Sequence, residues 1–273
     1  MIISCCLYNK VLCAIKKFKR FDSTSFDSLI SSFPEIEKAA LTSIFNHFIR
    51  RQTMLKTKLL KNNSKTITRL YNKMAKKGET FIFISLAEKY GVTPVCIARL
   101  VLESIENETT AHGSNESRPW DMIKDSTLIR DATLSYEVHL ASLFDPTYSP
   151  TANSVANLCG REYELHLQSC LVSRGLCFKT EFDLRELNFS KTPDILLDVP
   201  FASGNFVIKW IESKACFGDE FVHEDYFSNQ YQYYFRYGPG LVIYWFGFVE
   251  SIKGIRNKLL VSDKFPSEIV KIC

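Results

Sequence analysis

The sequence predicts an α/β second half built on a mixed sheet, preceded by an all-α first part. Three observations carry that expectation. Up to residue 106 the apolar residues recur mainly at helical spacing. Beyond Gly160 the pattern becomes helix, strand, strand, strand, helix, strand. The charge balance changes as well: residues 1–110 carry 18 Lys/Arg against 9 Asp/Glu, and residues 111–273 carry 16 against 21. A basic first part and an acidic second part point to two different jobs.

Within the first part, residues 8–20 and 26–33 read as short helices and residues 35–53 as a longer one, with Ala39, Ile44, Phe45, Phe48 and Ile49 near helical spacing. Residues 50–77 hold ten basic residues and no acid, with Asn62-Asn63-Ser64 as a break and Gly78 as a stop. Such a run can track a phosphate backbone or be a solvated helical face. Next come a helix over 84–90, a turn at Gly91, a cap at Thr93 and a helix from Pro94 to 103. This is the helix-turn-helix pattern, which also occurs in helical hairpins that touch no nucleic acid. Residues 107–119 are polar with Gly and Pro and read as a linker or exposed loop, and residues 120–150 hold one helical stretch. The expected division is 1–106, a helical region, 107–155, a linker and connecting helix, and 156–273, the α/β domain.

In the second part, residues 161–174 read as a helix closed by Gly175, and residues 176–184 alternate like a strand. Residues 194–199 and 206–214 follow as a hairpin around Gly204-Asn205. Residues 220–237 form an aromatic-rich helical stretch, Gly238-Pro239-Gly240 a turn, 241–248 a buried strand and 258–261 a last short one. The nine cysteines are scattered, with no C-x-x-C, and read as reduced core thiols. No run of 18 apolar residues occurs, so no membrane-spanning helix is expected. The first residues are apolar and then basic, the reverse of a secretory signal, and read as an intracellular amphipathic helix.

The hairpin is where chemistry is expected. A turn at 203–205 places Asp194 opposite Lys214 and one diagonal step from Glu212. Strand period puts Glu212 and Lys214 on one face. Two carboxylates in an apolar setting resist ionising together, and a divalent cation resolves the conflict. Hard oxygen ligands suit Mg²⁺ or Mn²⁺, and a neighbouring lysine can steer a water or offset phosphate charge. An isolated E-x-K is more often a surface salt bridge.

Pro193-Asp194 followed by Glu212-Ser213-Lys214 resembles the signature of the PD-(D/E)XK nuclease superfamily. Gly160 to Glu164, with Gly175 eleven residues later, resembles the opening helix of archaeal Holliday-junction resolvases. Gln230 to Tyr234 is similar to the Q-x-x-x-Y motif of the RecB-like branch. The text KTPDILLDVP, IKWIESKACFGDE, YGPGLVIYWFGF, LAEKYGVTPVCIARLVLE and FPEIEKAALTSIF looks like the codanin-interacting nuclease family of animals over nearly the whole chain. The resemblance implies a restriction-endonuclease-like α/β domain (αβββαβ, mixed sheet) after a helix-turn-helix-containing region. It implies codanin and nucleic acid, DNA foremost, as partners, and a nuclear and cytoplasmic location. By the same resemblance Asp194, Glu212, the Ser213 carbonyl and Glu164 hold Mg²⁺ or Mn²⁺. Lys214 positions the attacking water, and Gln230 and Tyr234 hold Lys214 or touch substrate. Glu162 rivals Glu164 on the same helix. The expected function is a metal-dependent nuclease. The alternative is a nuclease-fold scaffold, or a nucleic-acid-binding module, that barely cuts. His223 reads as a helix-start or surface histidine rather than a ligand. Asp219 and Glu220 read as helix capping residues, and most of the aromatics from Tyr226 to Tyr237 as packing, with two or three left for substrate.

Overall fold

A computed structural model describes residues 1–18, 23–109, 118–256 and 258–272. Residues 110–117 of the expected linker and the ninth cysteine, Cys273, lie outside the described residues. The chain is mixed α/β and divides into two compact units. A helical unit comprises Ala14–Ser32 and Ile44–Ala156, and a sheet unit comprises Met1–Cys13, Phe33–Ser43 and Asn157–Cys273. No helix among the described residues is long and apolar enough to cross a membrane.

In chain order the elements open with β1 (Ile2–Ile3), α1 (Cys5–Ile15), α2 (Ser23–Ser32) and α3 (Lys38–Lys61). Then come α4 (Ser64–Lys76), α5 (Ile82–Tyr90) and α6 (Pro94–Thr109), followed by α7 (Pro119–Lys124) and α8 (Ala132–Phe144). The break at Asn62-Asn63 separates α3 from α4 as expected, and Gly78 beyond α4 takes a left-handed φ of 73°. Gly91, at φ 62°, closes α5 and turns the chain into α6.

The helices α5 and α6 on either side of this turn are capped from a distance. Glu137, buried on α8, accepts the first N–H groups of α5, from Ile82 at 2.7 Å and Phe83 at 3.4 Å. Asp145, buried just past α8, accepts from Val95 N–H in the first turn of α6 at 3.0 Å. Each satisfies a helix-start donor that would otherwise be orphaned and sits at the positive end of a helix dipole. Thr93, the expected cap, instead leaves Oγ1 buried and without a hydrogen-bond partner among the described residues.

Packing also decides what α6 can do. Ile97, Ala98, Leu100, Val101 and Leu102 are buried in a core that also contains Ile67 and Tyr71 of α4, Phe83 of α5 and Val138 of α8. From Pro94 to 106 the single exposed side chain is Arg99, itself tied to Glu103 at 2.6 Å. A recognition helix has to present a row of side chains to a groove. The two helices and the glycine turn between them form, but the second helix is packed into a core.

α9 (Pro150–Val172) begins in residues of the helical unit and continues into the sheet unit from Asn157; it starts well before the expected residue 161 and runs through Gly160. It is followed by β2 (Phe178–Thr180), α10 (Glu181–Glu186), β3 (Ile195–Ser203) and β4 (Phe206–Lys214). The strand expected over 176–184 stops at Thr180. There a capping box, Thr180 with Asp183, starts α10 instead. α11 (Glu220–Tyr226) leads into a π turn (Phe227–Tyr231) and two short helical turns ending at Tyr237. The expected strand over 241–248 is split in two, β5 (Gly240–Tyr244) and β6 (Phe248–Val249), by a turn with Gly247 at φ 90°. β7 (Gly254–Arg256), β8 (Leu259–Ser262) and β9 (Val270–Lys271) complete the chain.

The main sheet has the order β2-β3-β4-β5-β8-β7, with β9 beside β3, and β1 pairs separately with β6. β4, β5 and β8 run parallel and the other neighbours antiparallel, so the sheet is mixed. Its two faces are covered differently. Leu167 and Leu171 of α9 pack with Ile195, Ile211, Leu241 and Ile243 on one face. Tyr231 and Tyr234 pack with Trp210, Val242 and Tyr244 on the other. Gly240 is required there: a Cβ on it would come within 2.0 Å of the Trp210 ring.

Candidate active site

The hairpin register differs from the sequence expectation in a way that matters. Near the turn Ser203 pairs with Phe206 and Phe201 with Ile208. The pairing then slips, so that Leu196 faces Trp210 and Ile195 faces Ile211. β3 thus carries three extra residues in a bulge around Pro200, which has no N–H to give to a ladder. Continued one step, this register sets Asp194 opposite Glu212 rather than opposite Lys214.

The contacts agree. Asp194 N–H donates to Glu212 Oε2 at 3.2 Å, and Ser213 N–H donates to Asp194 Oδ2 at 2.7 Å. Lys214 Nζ donates to Glu212 Oε1 at 2.7 Å and to Gln230 Oε1 at 2.9 Å, and lies 4.4 Å from the centre of the Tyr226 ring. Glu212 and Lys214 share strand parity with Trp210, so both project to the aromatic face. The π turn contains Gln230, and its extra residue per turn shifts the helix phase there. Beneath it Tyr231 and Tyr244 share a hydroxyl contact of 3.2 Å, and His223 Nδ1 meets Tyr244 at 3.2 Å. His223 is therefore buried inside α11, not at a surface, and Asp219 caps that helix through Val222 N–H.

The electrostatics follow from burial and proximity. Burial, and then the Glu212 carboxylate, push the Asp194 carboxyl well above the usual range. Lys214 shows the opposite balance. Burial works against its charge, but Glu212 and Asp194 outweigh it and raise its pKa, holding the ammonium protonated. Two carboxyl groups with one lysine, paired to Glu212, leave the cluster short of positive charge.

The structure brings together Asp194, Glu212, Ser213, Lys214 and Gln230. It does not bring Glu164 into the same cluster. Glu164 lies on α9, which covers the other face of the sheet, and accepts from Arg161 at 3.1 Å. Its charge still reaches Asp194, as the last of the influences raising that carboxyl. Its rival Glu162 is exposed on the same helix. Tyr234 is buried with its ring edge-on to Trp210, 5.3 Å between centroids. Among the described residues no group of three or more His, Cys, Asp or Glu is gathered as a metal site. The eight described cysteines are all free thiols.

Two contributors carried no signal in the sequence. Tyr226 lies against Lys214, although it was legible only as one aromatic among several. Trp245 donates its indole N–H to Ser213 Oγ at 2.8 Å and packs on Tyr163 and His166 of α9. It follows β5 at the carboxyl end of the parallel pair, where open α/β sheets place their sites.

Comparison with known proteins places the chain in a family. Residues 130–265 match the family described as "Protein of unknown function TPD sequence-motif", and Thr192-Pro193-Asp194 lies inside the match. No solved structure matches the chain. A protein of Homo sapiens named "CDAN1-interacting nuclease 1" is 34% identical over 255 residues, covering 91% of this chain and 90% of its own length. Proteins of the same name from Xenopus laevis and Danio rerio are 34% and 33% identical, covering 88% and 90% of this chain and 81% and 84% of their own. By that likeness over nearly its full length, the chain belongs to the CDAN1-interacting nuclease 1 family.

Proposed function

We propose that this protein is a metal-dependent nuclease with a restriction-endonuclease-like sheet unit and its centre at Asp194, Glu212 and Lys214. The observation that carries the reading is the Lys214 ammonium held between Glu212 and Gln230, with Asp194 opposite Glu212 across the hairpin. The donor set fits a hard divalent cation. Asp194 and Glu212 supply carboxylate oxygens, the Ser213 carbonyl is a further oxygen, and the raised Asp194 carboxyl marks a place where positive charge is missing. Mg²⁺ binds through one or two carboxylates plus waters and substrate phosphate, so a third carboxylate is not required. When bound, Mg²⁺ or Mn²⁺ would lower the pKa of a water and offset phosphate charge.

The chain's own residues do the rest. Lys214 has three donors. Two are spent on Glu212 and Gln230, which fixes the third toward a water or a phosphate oxygen. Tyr226 limits solvent on one side of the ammonium and favours its charge. Ser213 N–H orients Asp194, and Trp245 fixes the Ser213 side chain. Glu164 is assigned a supporting electrostatic role.

Nucleic acid as substrate and codanin as partner are proposed on the same footing, from the printed names of the relatives. A nuclear and cytoplasmic location belongs to that proposal. The test is cleavage of single-stranded, duplex and branched DNA and RNA with Mg²⁺ and with Mn²⁺, wild type beside Asp194→Ala. Cutting by wild type alone is expected. The position of Glu164, paired with Arg161 outside the cluster, favours one rival, a nuclease-fold scaffold that barely cuts. Absence of cutting by folded wild type, with or without codanin, would establish that rival.

A further inference from the structure

The structure divides the ten basic residues of the run over 50–77 by what they do. Arg50 donates to the Thr147 carbonyl at 3.3 Å and lies over the Tyr148 ring. Lys56 donates to the Gly91 carbonyl at 3.0 Å, closing the turn after α5. Lys58 and Lys61 line a cavity of about 330 Å³ beside α6. Lys77 is 3.8 Å from Glu79. Arg51 on α3 is engaged as well, which leaves Lys65, Arg69, Lys73 and Lys76. All four are exposed on α4, and among the described residues none is paired with a carboxylate.

These four form a line. At 3.6 residues per turn they fall within an arc of about 80° and span about 16 Å of helix. The opposite side of α4 carries Ile67, Thr68 and Tyr71, all buried. The helix therefore has one face spent on the core and one face of uniform positive charge. A membrane-surface helix needs a free apolar face to insert, and α4 has none left. An array of evenly spaced cations fits an array of evenly spaced anions. Among the described side chains of α6 only Arg99 is exposed, and it is tied to Glu103.

We propose that the Lys65–Arg69–Lys73–Lys76 face of α4 is a sequence-independent docking surface for the phosphate backbone of a nucleic acid. The choice of partner rests on the nuclease reading, and the test uses binding so that the two can fail separately. Full-length protein in EDTA, which silences metal-dependent cutting, is titrated with two labelled duplexes of unrelated sequence across a salt series. A variant with Lys65→Gln, Arg69→Gln, Lys73→Gln and Lys76→Gln is compared with a charge-matched control carrying Lys124→Gln, Arg130→Gln, Lys253→Gln and Lys264→Gln.

Each lost phosphate contact reduces the slope of log K against log salt by about 0.9, so the stripe variant is expected to lose about three to four units on both duplexes. The control is expected to lose less than about one. Single substitutions, each losing about one unit, guard against a folding artefact. Equal slopes for the two quadruple variants would overturn the proposal. So would stripe-dependent binding to phosphatidylserine vesicles in the absence of nucleic-acid binding. Wild-type cutting with an unchanged slope would leave the nuclease reading standing and remove the stripe. A reduced slope without any cutting would do the reverse.

Discussion

Each unit holds a pair of acids shielded from solvent, fully buried in the helical unit and buried beside half-buried in the sheet unit, and the two pairs live differently. In the helical unit Glu137 and Asp145 are spent on backbone N–H groups at the starts of α5 and α6. In the sheet unit Asp194 and Glu212 face one another, and a single lysine pairs with Glu212. Burial alone does not mark a functional carboxylate. The mark is what the charge is given as a partner: a helix terminus satisfies it, and a second carboxylate leaves it in need of a cation.

The comparison can be broken in four places. The largest effect is expected from Asp194→Asn, which should lower cleavage by about 10²–10⁴-fold while leaving the metal-free protein as stable as wild type or more so, because repulsion with Glu212 is relieved. Steady-state cleavage and urea unfolding in EDTA read the two halves of that expectation. Loss of both activity and stability would place Asp194 among the structural acids.

Next, Mn²⁺ at a hundred times its dissociation constant should stabilise wild type by about 2.7 kcal/mol and leave Asp194→Ala unmoved, as read by thermal melting. Glu137→Ala sharpens the contrast from the other side. Losing the cap on α5 should cost about 1–3 kcal/mol, while cleavage per folded molecule stays at the wild-type value. The smallest effect is assigned to Gln230→Ala, about tenfold on kcat with KM little changed, since it removes an orienting contact on Lys214 rather than a ligand. A Gln230→Glu variant that keeps an oxygen on Lys214 should recover part of the loss.

Much of this was legible in the residues. The α3–α4 break, the Gly91 turn, both strands of the hairpin and the run of aromatics announced themselves through turn chemistry and periodicity. The grouping of Asp194, Glu212, Lys214 and Gln230 was legible as a motif. Three things were not. The caps on α5 and α6 come from 50 or more residues away, and local pattern carries no trace of them. The burial of most of α6 is a tertiary fact, because a helix that reads as half of a DNA-binding hairpin looks the same in sequence as a core helix. The stop of β2 at Thr180 was written in a capping box inside an alternating stretch, where two local signals competed and the helix start won.

The bulge in β3 has an engineering consequence. By absorbing a three-residue offset it separates the hairpin into two segments whose alignments are set independently. The tip at Gly204-Asn205 governs only the outer rungs, whereas the rungs beside Asp194 answer to Pro200 and its neighbours. The hairpin thus behaves as a jointed lever. Only the exposed tip at Gly204-Asn205, beyond the rungs held by β9 and the core, is open to a longer or grafted loop, and the carboxylates at the near end stay in step with the lysine.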